Sequence, residues 1–187
     1  MRLKIEGRFF GMENYDVKPL DGRWWLIQNP ESNWGFEITK GAENIPSGSL
    51  VIPRHNAETD FASVPYRAVI TRLIGPPTGY GKGRAYGPAA IMHDELYTTG
   101  KVIGPGGQKI TCSKRFADSL FFTAMECKVK TKIKSVLLNG DPVDKEYILV
   151  DVARWRRKVM WMAVAGFGKS AWKKHGRPAF VYKDVKP

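Results

Sequence analysis

The apolar residues of this chain change period once, near residue 64, and that change restricts the possible folds more than any other feature. Before it the pattern is strand-like. Arg2–Phe9 alternates polar and apolar side chains, and Arg23–Gln28 and Trp34–Thr39 are rich in aromatic and β-branched residues. The turn cluster Asn29-Pro30-Glu31-Ser32-Asn33 separates these two runs, and Ser49–Pro53 makes a further short strand entered through Pro46-Ser47-Gly48. A small antiparallel sheet is the expected product. After residue 64 the pattern is helical. Pro65–Ile74 and Pro88–Thr98 each begin with proline, which suits a first helical turn. Ser113 reads as the N-cap of a helix through about Lys128. Asp144–Gly166 reads as one long amphipathic helix, or two, ended by Gly166-Phe167-Gly168. Residues 75–83 and 100–109 are Gly- and Pro-rich loops, and 129–142 has no clear period. The expected fold is α+β in one domain spanning 1–187: mainly strands over 1–55, mainly helices over 56–172, and a basic tail over 173–187.

A chain of 187 residues can bury a core sufficient for one domain, and its 43 % hydrophobic content is that of a globular protein. Cys112 and Cys127 do not make a disulfide framework. On a helix they would lie roughly 22 Å apart at about 1.5 Å per residue, beyond bridging distance. The N-terminus alternates charged and apolar residues and lacks the apolar stretch of a signal peptide, so synthesis without export is expected. No apolar run approaches the ~20 residues of a spanning helix. The net charge is +12, and it is unevenly placed. Residues 1–127 carry 15 Lys and Arg against 13 Asp and Glu, whereas residues 128–187 carry 15 against 5. The basic last third favours an anionic partner, such as nucleic acid, envelope phosphates or an acidic protein face, or else is simply a solvated surface.

The chemistry-bearing residues concentrate at Ile91-Met92-His93-Asp94-Glu95-Leu96-Tyr97. An imidazole on an apolar helix costs free energy unless it is hydrogen-bonded. Tyr97 is four residues after His93 and shares its face, while Asp94 is turned by about 100° to serve an adjacent group. On the next helix Asp118 shares a face with Phe121, Phe122 and Met125, so it too needs a partner. His93 is the natural one, and a carboxylate behind an imidazole fixes its tautomer and supports it as a general base. The alternative places Asp118 at the rim, paired with Arg115 or a C-terminal lysine.

Thr59-Asp60-Phe61-Ala62-Ser63-Val64-Pro65 is the second unusual segment. It reads either as cap and turn chemistry or as a source of Asp60 for a metal or substrate. Ser63 lacks the glycine pattern of a hydrolase nucleophile elbow. Asp94, Asp60 and loop carbonyls would suit calcium, which takes oxygen ligands. Zinc is disfavoured by the absence of Cys/His clusters. His55, His93-Asp94 and Asp118 also follow the ligand order of metal-dependent phosphohydrolases, although His55 here follows a strand. Farther on, Arg154, Arg156, Arg157 and Lys158 interleave with Trp155 and Trp161. They suit an anionic surface, lipid or nucleic acid. The competing reading is a core helix with the stripe Val152, Trp155, Val159, Met162 and Ala163.

Four blocks in order, Thr59-Asp60-x-Ala62-Ser63-x-Pro65, His93-Asp94-x-Leu96-Tyr97, Ala117-Asp118-x-x-Phe121 and Gly168-x-x-Ala171-Trp172, resemble a family of uncharacterised proteins, a domain of unknown function, of tailed bacteriophages and prophages. The resemblance covers about residues 50–172. It implies a phage origin but no established reaction; a place in the virion and contact with other virion proteins are further expectations. The site alone also resembles the calcium-dependent secreted phospholipases. That resemblance implies His93 as the activator of water, Asp118 as its orienting carboxylate, Tyr97 as a supporting hydrogen bond and Asp94 with loop carbonyls as the calcium ligands. The flanking cysteines of those enzymes are replaced here by Ala89, Ala90 and Leu96.

Two expectations follow. One is a phage-encoded hydrolase of an ester or amide in the host envelope, held there by its basic third. The other is a non-catalytic virion component whose His-Asp-Tyr cluster is a buried polar network, with the basic surface docked on virion proteins or DNA. A regulatory protein binding a host factor is a third, weaker fit.

Overall fold

In the computed structural model, residues 1–21, 24–59, 84–136 and 142–172 are described. The first third forms the strands β1 (Glu6–Phe10), β2 (Asp16–Asp21), β3 (Trp24–Gln28), β4 (Gly35–Lys40), β5 (Ser49–Val51) and the two-residue β6 (Glu58–Thr59). Of these, β1, β3, β4 and β5 fall on the expected strand runs, whereas β2 and β6 were not anticipated. β1, β4 and β5 form an antiparallel sheet continued by β8 (Lys101–Ile103) and β9 (Lys109–Thr111) in the order β1-β4-β5-β8-β9. Phe9 opposes Phe36 across β1 and β4, with ring centroids 4.9 Å apart and nearly perpendicular. Such a pair contributes beyond its buried area. β2, β3 and β6 form a second sheet.

Helix α1 (Gly87–Thr99) follows the short strand β7 (Arg84–Ala85) and has Pro88 in its first turn. It stops at Gly100, whose φ of 63° is the left-handed conformation that glycine adopts without a Cβ penalty. The Gly100 amide returns to the Leu96 carbonyl at 2.8 Å, and the next residue begins β8. Residues 87–93, Glu95 and Leu96 of α1 are all buried, so this helix lies inside the domain rather than on its surface. Helix α2 (Lys114–Glu126) starts at Ser113, whose hydroxyl accepts the Phe116 amide at 3.0 Å. Its apolar side chains Phe116, Leu120 and Phe121 join Ile91, Met92 and Leu96 of α1 in the core, together with Trp34, Phe36 and Ile38. The Thr123 hydroxyl donates to the Ile5 carbonyl at 3.2 Å, and the Leu3 amide donates to Ser119 Oγ at 3.0 Å. These bonds lash the segment leading into β1 to α2.

Two expectations need correction. Asp144–Gly166 is not one helix. Its first part belongs to strand β11 (Pro142–Val152), which pairs with β10 (Val129–Val136) and then with β7. The alternation of β-branched Ile148, Val150 and Val152 is a strand signal that the helical reading absorbed. The 100–109 segment is likewise not all loop, since β8 and β9 form a hairpin there. Helix α3 therefore begins at Arg154 and runs to Phe167, followed by the short α4 (Lys169–Trp172). Its inward face carries Met160, Ala163 and Val164. Of the expected stripe, Val152 is on β11, and Trp155 and Met162 are exposed. Two further expectations, a helix over Pro65–Ile74 followed by a loop and a basic tail over 173–187, lie outside the described residues.

Ser113→Ala removes the cap acceptor of α2 and the bond that the hydroxyl donates to Glu43 Oε2 at 2.7 Å. Urea unfolding should show a loss of about 1 kcal/mol with an unchanged slope.

Candidate functional site

Helices α1 and α2 pack against each other, and their facing residues place His93 beside Asp118. His93 Nε2 lies 3.2 Å from Asp118 Oδ1. The same oxygen accepts the Tyr97 hydroxyl at 2.6 Å, while Oδ2 accepts Lys114 Nζ at 2.6 Å. His93 and Asp118 are only 3 % and 4 % exposed, so these bonds form in a dry environment where each counts for more than in water. Three expected residues, His93, Tyr97 and Asp118, thus come together. Phe121 closes the cluster, with its ring centroid 4.9 Å from the imidazole, and the Tyr97 ring lies 4.1 Å from it on the same helix.

The electrostatics follow from this arrangement. Burial pushes the Asp118 carboxyl up, but hydrogen bonds from His93, Lys114 and Tyr97 outweigh it and hold the group below the usual carboxylate range. Burial also pushes the Tyr97 phenol up, and the Asp118 carboxylate adds to this, so Tyr97 remains a donor. For His93, burial lowers the pKa, while the Asp118 and Asp94 carboxylates raise it and prevail. With Asp118 ionised and accepting, Nε2 carries the proton of the neutral ring, and Nδ1 presents its lone pair. Among the described residues this Nδ1 is buried and without a hydrogen-bond partner. Asp94 Oδ1 stands 3.8 Å away, beyond hydrogen-bond reach.

Asp94 is positioned from the other side of α1. The Thr59 hydroxyl, on β6, donates to Asp94 Oδ2 at 2.6 Å. Next to it, Glu95 is buried and receives Arg54 Nε at 3.0 Å, tying α1 to the segment after β5. His55 accepts the Asn29 amide at Nδ1, 3.1 Å away, within the turn region of β3. Among the described residues no group of three or more His, Cys, Asp or Glu is placed to hold a metal ion. Asp118 accepts hydrogen bonds at both oxygens, Oδ1 from Tyr97 and Oδ2 from Lys114. Asp60 and Ser63 lie outside the described residues. Cys112 and Cys127 are free, and burial pushes their thiols up to about 12 and about 11, so neither is an activated nucleophile.

Lys114 was missed, although it stands four residues before Asp118, the spacing at which a helical lysine meets a carboxylate. Its ammonium also donates to the Val164 carbonyl at 3.0 Å and the Ala165 carbonyl at 3.3 Å, so it clips the end of α3 to the dyad. A cation at the last carbonyls of a helix is electrostatically favoured. Trp172 packs edge-on to Tyr97 with centroids 5.2 Å apart. Gly168 lies so close to the Tyr97 hydroxyl that a Cβ there would collide with it. Thr59, the His93 helix, Asp118 with Phe121, and Gly168 with Trp172 therefore meet around one imidazole, although more than 110 residues separate the first from the last. The basic residues are dispersed. Arg154 and Lys158 are exposed, Arg156 stacks 5.0 Å from the Trp155 ring, and Arg157 turns inward to Glu126 at 3.7 Å.

An α+β domain with a buried imidazole–carboxylate dyad across two packed helices is the class that fold and site define. The chain belongs to the family described as protein of unknown function DUF1353, whose profile matches residues 42–138, including Thr59, His93, Asp94, Tyr97, Lys114 and Asp118. No curated protein and no solved structure matches it.

Two outcomes test the electrostatics. Because the folded His93 pKa is above the unfolded value of 6.5, its contribution to stability is complete below pH 6.5 and is lost as pH rises through the folded pKa. Urea titrations from pH 5 to 9 should show this fall in the wild type, and His93→Gln should flatten it. Lys114→Met deletes a positive charge from the shared carboxylate, so the imidazole midpoint should move upward in an NMR titration. An unmoved midpoint would show that Lys114 acts by packing alone.

Proposed function

We propose that this chain is a phage-encoded hydrolase of ester or amide bonds in the host envelope, with His93 as general base. The observation that supports it is the His93 Nδ1 atom. A buried nitrogen left without a protein hydrogen bond costs about 1–3 kcal/mol, and the nearest acid, Asp94 Oδ1, stands 3.8 Å away. A general base needs that lone pair kept for a water molecule. The other face of the ring is held as such a base requires, because Asp118 fixes the tautomer while Tyr97 and Lys114 fix Asp118.

In this reading Nδ1 takes a proton from water as the water oxygen bonds to the substrate carbonyl carbon. Asp118 stabilises the resulting imidazolium. The same proton then passes to the leaving alcohol or amine as its bond to carbon breaks, and the neutral imidazole is restored. For a calcium ion the chain offers Asp94 and, from the neighbouring segment, Asp60; bound there, calcium would polarise the carbonyl. The raised pKa of His93 places the active, neutral base on the alkaline side of 6.5. The resemblances to phage proteins and to calcium-dependent phospholipases support the envelope as target, and the basic last third would hold the protein on its phosphates.

A second reading rests on the near-complete burial of His93 and Asp118. The cluster would then be a polar network that fixes the fold of a virion component, with the basic surface docked on virion proteins or DNA.

The test uses phosphatidylglycerol vesicles and purified peptidoglycan, with and without calcium, and assays released fatty acid or new amino groups. The wild type should release product on a limb rising above pH 6.5. His93→Gln, shown to be folded by circular dichroism, should lose at least about 100-fold. No release from either substrate, or full activity in His93→Gln, sinks the hydrolase and leaves the structural network.

A further inference from the structure

Helix α3 has a second face that the core does not use. Its inward residues Met160, Ala163 and Val164 are buried, and Arg157 joins them by reaching Glu126. On the opposite face Trp155, Lys158, Met162 and Ala165 are all exposed, at spacings of three, four and three residues. That spacing is one continuous stripe along a helix. Trp155 and Met162 are 51 % and 56 % exposed, a large apolar area for a surface helix to leave in water. Cations accompany it: Arg154 and Lys158 are exposed on α3, and Lys169 is exposed just beyond its end.

We infer that α3 lies flat on an anionic lipid bilayer, with Trp155 and Met162 entering the interface and Arg154, Lys158 and Lys169 on lipid phosphates. A helix with tryptophan and a thioether side chain on one flank and cations beside them has the composition of an in-plane interfacial helix. Its 14 residues are too few to cross a bilayer, which needs about 20. The charge selects the lipid, since residues 128–187 carry 15 Lys and Arg against 5 Asp and Glu. Duplex DNA would satisfy the cations but would offer Met162 no apolar partner. The assignment does not depend on the hydrolase reading, because the stripe faces away from the buried side of α3. It does set an orientation: the carbonyls of Val164 and Ala165 that hold Lys114 belong to the same helix, so the bilayer-facing element is bonded to the dyad through one ammonium.

Co-sedimentation of the full chain with vesicles tests this. Binding is expected to vesicles containing 30 % phosphatidylglycerol and to be much weaker with pure phosphatidylcholine. Arg154→Gln and Lys158→Gln should each weaken binding about fivefold. The double change Trp155→Ala and Met162→Ser should weaken it at least about tenfold with an unchanged melting temperature, since both side chains are exposed. Acyl-chain bromine should quench wild-type fluorescence, and Trp155→Phe should abolish most of that quenching. Equal vesicle binding by the double variant overturns the assignment. So does the absence of vesicle binding in a protein that binds duplex DNA with a steep salt dependence. Catalytic failure with intact vesicle binding would count against the hydrolase alone.

Discussion

The carboxylate of Asp118 organises the middle of this molecule. A buried charge must find donors, and here α1 supplies two, the His93 imidazole and the Tyr97 hydroxyl, while α2 supplies Lys114 from its own first turn. Truncating one partner of such a cluster leaves the others desolvated, which costs more than any one bond contributes. The packing of α1 on α2 and the placement of α3 are thus tied to a single ionised group. Lys114 extends its influence, because the same ammonium that neutralises Asp118 also satisfies the last carbonyls of α3.

This has a chemical counterpart. Lys114 and His93 both donate to the same carboxylate and help hold it below the usual range, while that carboxylate and Asp94 raise the imidazole pKa. The cluster therefore balances two demands. Asp118 stays ionised in a buried setting because three donors reach it, and the ring is held between burial, which lowers its pKa, and two carboxylates, which raise it. Thr59 contributes at the edge by occupying one oxygen of Asp94 from a strand two residues long.

Much of this was legible in the residues. The cost of burying His93 and Asp118 without partners predicted their pairing, and the four-residue spacing predicted Tyr97 beside them. Asp60, expected from the sequence as a metal ligand, lies outside the described residues. Lys114 escaped because a lysine early in a helix reads as solvated, although the i,i+4 rule pointed at Asp118. The 142–152 strand escaped because Ile148, Val150 and Val152 fit the edge of a longer helical stripe as well as an alternation. The turn signal Asn139-Gly140-Asp141-Pro142 leading into that strand is the local clue that favours a hairpin over a helix. The direction of α3 depended on what waited beneath it. Glu126 and the Phe122 ring receive Arg157, so a cation turns inward and the Trp155 and Met162 side chains turn out.

The ends of α1 carry a mechanical consequence. One residue before its first turn the chain is in β7, which belongs to the sheet of β10 and β11; one residue after its last turn it enters β8, in the five-stranded sheet. The helix is a strut between two sheets, with His93 at its centre. The position of the imidazole along its helix axis is therefore set from both ends, by two different sheets.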